Sequence, residues 1–268
     1  MKDTEESERQ SQPPRNGHAG RLLSAAGAFL FCLAAIHRCP AEVIYQENFD
    51  GGTANLAGTA PTVAVGGGIW AGDTDFKDDG SVSGGGGGVY LPFSVEAGYE
   101  YTLSVSFVRI SGTWVAAGFS GGDPTSANRI SENQGRGWGL AQSAKVQAFR
   151  GPNTTGVTTL DTVSTTNQTT TQTIILDATS SAFADWTFTV SMQVGDSFYQ
   201  PFTARNAGFT SPNDITAIGL STSGATADYT NLTLTKGSAV PEPAMAAPAG
   251  VAVLLMLAAS RCRKMWCR

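Results

Sequence analysis

Between residues 42 and 239 the chain has neither cysteine nor histidine. Cys32, Cys39, Cys262 and Cys267, and the histidines His18 and His37, all lie outside that stretch. This excludes a body disulfide, a Cys or His metal site, and any Ser-His-Asp or Cys-His nucleophile system. Charge is scarce too: Asp, Glu, Lys and Arg make up 15% of the 268 residues, against about 25% in an ordinary soluble domain. It is also lopsided, with 17 Asp and Glu against 8 Lys and Arg in residues 42–239. An acidic surface repels phosphate backbones, so nucleic acid is not an expected partner. Helical periodicity is the third lack, since no stretch of the body repeats its apolar residues at three-to-four spacing.

What is present begins with the two ends. Residues 22–36 (LLSAAGAFLFCLAAI) form an uncharged run of 15 after a polar lead. The following HRCPAEV places Cys39 and Ala41 at the -3 and -1 positions of a cut after Ala41. That layout is a secretory signal peptide over residues 1–41, whose apolar core is about 7–15 residues long. The alternative is a short N-terminal membrane anchor, although a span needs about 20 residues. The lead is longer than such signals usually carry, which would fit a misplaced start codon. At the other end, residues 244–260 give 17 positions without a charge, followed by Arg261, Arg263, Lys264 and Arg268. The run sits at the low edge of the spanning range of about 17–25. The cations would hold the tail, 261–268, in the cytoplasm. A buried core helix is the other reading, but such helices rarely run into four terminal cations.

The closing stretch VPEPAMAAPAGVAVLLMLAASRCRKMWCR resembles a PEP-CTERM sorting signal of Gram-negative bacteria, with its three parts in order. They are Val240-Pro241-Glu242-Pro243 at the end of a linker (237–243), the apolar span and the basic tail. The resemblance implies partners in the export machinery and in an exosortase-like processing enzyme of the inner membrane. It also implies an inner-membrane-anchored precursor, later released or handed on to the cell surface or extracellular matrix. Cys262 and Cys267 depart from that pattern. Physically, each proline fixes its own backbone and discourages helix before it, so the motif is expected to be extended and exposed.

The body, 42–236, reads as strands. In YEYTLSVSFVRI, Tyr99, Tyr101, Leu103, Val105 and Phe107 share one face. In DWTFTVSMQVGD, Trp186, Phe188, Val190, Met192 and Val194 do the same. A period of two marks half-buried antiparallel strands. Ten to twelve such strands between Gly/Asn/Asp/Ser turns predict an all-β antiparallel β-sandwich of the jelly-roll kind. The opening YQENFDG and closing ADYTNLTLT resemble the paired first and last strands of concanavalin-A-like (laminin-G-like) jelly rolls.

Candidate chemistry is sparse. Asp73, Asp75, Asp78 and Asp79 cluster before a run of five glycines, 84–88. Clustered carboxylates suit Ca²⁺, but Lys77 and the lack of a following bidentate Glu favour a solvated turn. No Lys-Ser/Thr follows the glycines, so they predict a flexible connector rather than a phosphate loop. Trp70, Trp114, Trp138 and Trp186 offer rings for stacking on sugars. Trp114 and Trp186 fall in core-like patterns; Trp138, between glycines, is the more plausible exposed ring of the four, although packing is the favoured reading there too. Asn153 and Asn167 open N-x-Thr sequons in a threonine-rich stretch that β-sheet surface explains nearly as well. No cofactor, metal or catalytic residue is expected. The main reading is a non-enzymatic exported surface or matrix component. The alternatives are a carbohydrate-binding module with an extracellular polysaccharide as partner and, third, a carboxylate-dependent polysaccharide hydrolase.

Overall fold

The computed structural model describes residues 41–238; the sorting motif, the apolar span, the basic tail and all of the signal peptide except Ala41 lie outside them. The first strands are short: β1 (Glu42–Glu47), β2 (Val63–Ala64), β3 (Ala71–Gly72), β4 (Ser81–Val82) and β5 (Gly88–Pro92). Longer ones follow: β6 (Tyr99–Ser111), β7 (Trp114–Ser120), β8 (Gly135–Gln142), β9 (Lys145–Phe149) and β10 (Val157–Asp161). The last are β11 (Thr169–Ala178), β12 (Thr187–Val194), β13 (Ser197–Arg205), β14 (Ala217–Ser223) and β15 (Thr226–Ser238). One sheet has the order β13-β12-β11-β6-β15-β1-β2, with β4 beside β15; the other runs β10-β9-β8-β7-β14-β5-β3. All ladders are antiparallel. The body is an all-β antiparallel sandwich. Its first and last strands are partners, Glu42 facing Lys236 and Glu47 facing Leu232.

Alternation decides what enters the core. Tyr101, Leu103, Val105 and Phe107 of β6 and Phe188, Val190, Met192 and Val194 of β12 are buried between the sheets, while their polar neighbours face outward. From the second sheet, Val89, Leu91, Val115, Ala117, Phe119, Val146, Ile218 and Leu220 complete the layer. Tyr229 of β15 stands in its middle among Phe49, Phe76 and Phe107. Its hydroxyl lies 3.1 Å from the Ala116 carbonyl and 3.1 Å from the Ser221 carbonyl, so it ties the first sheet to two adjacent strands of the second. Burial pushes this phenol far up, so it stays a donor at any ordinary pH. Gln172 makes a second inter-sheet link, its Nε2 donating to the Ala117 carbonyl at 2.7 Å.

The edges are blunted. In β13 the register shifts between the Val190–Phe202 and Met192–Tyr199 pairs, leaving Gln200 and Pro201 as a bulge. Proline has no N–H to offer, and a bulge twists an edge away from further pairing. The opposite edge, β2, is two residues long.

Replacing Tyr229 by Phe keeps the ring packing but removes the donor from both carbonyls. Stability is expected to fall by about 1–2 kcal/mol. Denaturant titration of full-length Y229F against the parent checks this.

Candidate functional site

The second sheet is buried on both faces, and this builds the site. On its outer side Tyr90, Ala116, Trp138, Leu140, Phe149 and Ala217 form a smaller apolar layer, which Ile130 covers from the loop after β7. Large rings fit here because glycines lie beneath them. A Cβ on Gly219 would come within 2.4 Å of the Tyr90 ring, and one on Gly118 within 2.3 Å of the Trp138 Cβ. Trp138 stacks on Phe149 with centroids 4.2 Å apart and planes 13° from parallel. Its Nε1 donates to the Gly151 carbonyl at 3.1 Å.

Gly137 sets which way Trp138 points. It has φ +55, at the register shift where Gly118 pairs with Trp138 but Phe119 pairs with Arg136. The bulge reverses the alternation, so Trp138 faces outward while Arg136 lies over the Phe209 ring, 5.4 Å from its centroid. A positive φ costs glycine nothing and strains other residues.

Trp138 is therefore not an exposed ring. Its relative exposure is 0%, and its place in the accessible position is taken by Trp114, which is only partly buried and packs from outside against this layer. Packing, the favoured reading for Trp138, holds, whereas the expectation that Trp114 belongs to the core is overturned. In WVAAGFS every position is apolar or small, so alternation does not say which face is the core. Val115, Ala117 and Phe119 turn inward, which leaves Trp114, Ala116 and Gly118 outside. Trp186 does lie in the inter-sheet core, and Trp70 is fully buried with its Nε1 on the Glu47 carboxylate at 3.1 Å.

Above the outer layer runs a groove of about 280 Å³. Trp114, Trp138, Leu140 and Phe149 form its floor. Gln142, Gln147, Arg129, Ser131, Thr154 and Val157 complete the lining, and Asn153 N donates to Ser131 O at 2.9 Å, joining the loop after β7 to the turn after β9. The Arg129 wall is held firmly. Gly121 N donates to Gln134 O, Ile130 N to Ser221 Oγ at 3.0 Å, and Tyr90 Oη to Asn128 O at 2.7 Å. Thr154 belongs to the tight turn after β9, where Asn153 (φ 51) and Thr154 (φ 63) both adopt left-handed conformations. No Asp or Glu lines the groove. The volume is near the lower end of the range for small-molecule pockets, about 300–1,000 Å³.

The acidic residues are engaged elsewhere. Asp79, Asp123 and Asp177 each accept the backbone N–H and the hydroxyl of the Ser or Thr two positions on, Ser81, Thr125 and Thr179. These bonds hold the Asp79 and Asp123 carboxyls below the usual range, the Ser81 hydroxyl acting most on the first and the Thr125 N–H most on the second. Asp214 is pulled down to about 2, first by the Thr210 hydroxyl and then by the N–H groups of Thr210 and Ser211. Asp73 caps Asp75 N in the same manner at 2.9 Å. Among the described residues no three His, Cys, Asp or Glu side chains come together in a way that suits a metal ion.

The glycine run is not a flexible connector. Gly84 N, Gly88 N and Asp73 N bond to Ala225 O, Ala127 O and Gly88 O. A Cβ at Gly85, Gly86 or Gly87 would collide with Asp75, Arg129 or Asp73. Gly85, Gly86 and Gly87 leave room for the Asp75, Arg129 and Asp73 side chains to pack against their backbone.

A larger cavity of about 650 Å³ lies between the ends of β1, β5 and β15. Its main polar groups are already paired, Lys236 with Glu96 at 2.9 Å and the Tyr45 hydroxyl with Pro92 O at 2.6 Å. The groove sets a partly exposed indole, Trp114, beside Gln142 and Gln147, whose Nε2 also reaches Thr159 Oγ1 at 3.3 Å, so it is the stronger candidate. Sequence reasoning missed Arg129, Gln142 and Gln147; the only available signal was Arg129 standing in a loop that breaks an otherwise regular strand series.

No protein-family model and no curated protein matches the chain. Solved structures do. The Lotus tetragonolobus seed lectin is 11% identical over 66% of this chain and 96% of its own, with TM-score 0.44. The lectin from Bauhinia forficata in complex with GalNAc is 9% identical over 74% and 99%, with TM-score 0.40. Endo-1,3-beta-glucanase from Streptomyces sioyaensis is 13% identical over 74% and 97%, with TM-score 0.39. Likenesses of this degree say nothing about what the groove holds.

Gly118→Ala is expected to displace Trp138 and lower stability by about 2 kcal/mol, as overpacking does. Thermal melting, together with a loss of near-ultraviolet circular dichroism from the stacked rings, is the check.

Proposed function

We propose that this chain is an exported cell-envelope protein whose sandwich is a non-catalytic polysaccharide-binding module. The observation that carries the binding half is the groove: a partly exposed Trp114 beside the amides of Gln142 and Gln147, with no carboxylate in the lining. The apolar face of a pyranose ring stacks on an indole, and its hydroxyls match amides that both donate and accept. Glycosidases instead need two placed carboxylates about 5–10 Å apart. The carboxylate-free groove supports binding over hydrolysis.

The export half is supported by the sequence at both ends. The cut expected after Ala41 falls directly before β1, and Pro241 comes three residues after β15 closes at Ser238. Cleavage at both places would leave every strand intact. Val240–Pro243 would be the segment that an exosortase-like enzyme reads, with the apolar span and Arg261, Arg263, Lys264 and Arg268 as the membrane stop.

Two experiments test the halves separately. Mass spectrometry of the secreted protein from cells with an exosortase is expected to show an N-terminus at Glu42 and a C-terminus near Pro243; an intact Arg268 there would refute processing. In affinity electrophoresis against a panel of polysaccharides, retardation of the full-length chain is expected with at least one. Trp114→Ala is expected to weaken it at least ~10-fold, the loss of about 1.4 kcal/mol of stacking. No retardation by any polysaccharide would refute the binding half.

A further inference from the structure

We infer that the groove selects an acidic polysaccharide, whose carboxylates are met by Arg129 from the wall and Lys145 from the rim. This rests on the polysaccharide reading above and names the ligand class. The first ground is where the cations fall. Four of the body's 8 Lys and Arg, namely Arg129, Arg136, Lys145 and Arg150, lie within residues 129–150. Between Asp123 and Asp161 the only carboxylate is Glu132. An otherwise acidic body thus has one positive segment; of its cations Arg129 lines the groove, whereas Arg136 lies over Phe209 on the other side of the sheet.

Geometry is the second ground. Arg129 lines the groove, and its Nε is enclosed without a hydrogen-bond partner among the described residues. Only Nη1 is engaged, with Glu132 at 3.2 Å. The Nη2 edge lies over the bare backbone of Gly86, where a Cβ would approach within 2.5 Å. A guanidinium presents its donors as a planar fork that matches a carboxylate. Nε and Nη2 are turned toward Gly86, so a carboxylate in the groove would meet the partly exposed guanidinium end beside Glu132. Lys145 stands two residues before Gln147 on β9, so the two share the outer face. Neither Lys145 nor Arg150 forms an ion pair among the described residues.

The other anionic polymer to consider is nucleic acid. Its binding rests on many phosphate contacts spread over a basic surface. This body carries 17 acidic residues against 8 basic ones, and its groove is short, with one accessible indole. A uronate-containing glycan needs only one or two carboxylate contacts next to a stacked ring, which the groove can supply.

The test compares full-length protein with a polyuronate such as polygalacturonate, a neutral β-glucan and a single-stranded oligonucleotide, each at low and high salt. The polyuronate is expected to bind tightest, and to weaken as salt rises because exposed charges are screened within about 10 Å at 0.1 M. Arg129→Gln is expected to weaken polyuronate binding ~10-fold, equivalent to about 1.4 kcal/mol, with Arg129→Lys intermediate. Both variants should melt with the parent, since the wall is fixed by backbone bonds of residues 128 and 130 rather than by this side chain. Equal affinity for the neutral glucan with a silent Arg129→Gln would overturn the charge inference and leave the polysaccharide reading standing. Binding of no glycan would remove both. Oligonucleotide binding as tight as polyuronate binding would overturn the assigned ligand class.

Discussion

The buried hydroxyl of Tyr229 is the contact that fixes one sheet against the other. Apolar packing alone would hold the sheets together without fixing their register, because dispersion and hydrophobic burial are not directional. A hydroxyl shared between the Ala116 and Ser221 carbonyls is directional. It pins β15, the strand between β6 and β1, to the β7–β14 pair at the centre of the second sheet. Gln172, bonded to Ala117 O one residue away on β7, reinforces the same region. Those central strands support the floor of the groove on their outer side, so its geometry depends on a hydrogen bond made on the opposite face.

That arrangement requires a sheet with apolar residues on both faces, and glycine makes it possible. Gly118 and Gly219 leave space for rings on the outside, while Gly139 lets Met192, Val190 and Gln172 approach from the inside. Each omitted side chain on one strand makes room for a large one on its neighbour. The same substitution of backbone for side chain explains the five-glycine run, against which Asp73, Asp75 and Arg129 pack. A chain rich in glycine usually suggests looseness. In this body several of the glycines mark the tightest packing.

Legibility in the sequence follows from this. Where one face is wet, as along β6 and β12, strict alternation revealed the strand and its buried face together. The partnership of first and last strands was expected from the jelly-roll resemblance of YQENFDG and ADYTNLTLT, not from any period in those residues. Strands β7 and β8 were not legible in this way, because a sheet buried on both sides erases the contrast between faces. GRGWG in particular suggested an exposed loop, whereas Gly137 is a bulge that turns Trp138 beneath its own neighbours. Trp114 consequently lies on the accessible side against expectation, while Trp138 is packed. The polar half of the groove was not readable because Arg129 reaches it from a loop whose position is set by Ile130, Asn128 and Gly121, contacts that have no period.

The distribution of charge follows the same economy of turns. Aspartates recur two positions before Ser or Thr because a carboxylate that accepts both the N–H and the hydroxyl closes a turn without a helix or a bulky core. Such carboxylates are engaged where the chain reverses, at the ends and edges of the sandwich. They are absent from the groove lining on the outer face of the second sheet. Several of the body's carboxylates are thereby committed to its turns. Residues 129–150 carry a positive balance, and Trp114 is the partly exposed indole beside them among the described residues. Charge and shape coincide at the groove because Arg129, on the loop that covers the outer layer, shares its lining with Trp114.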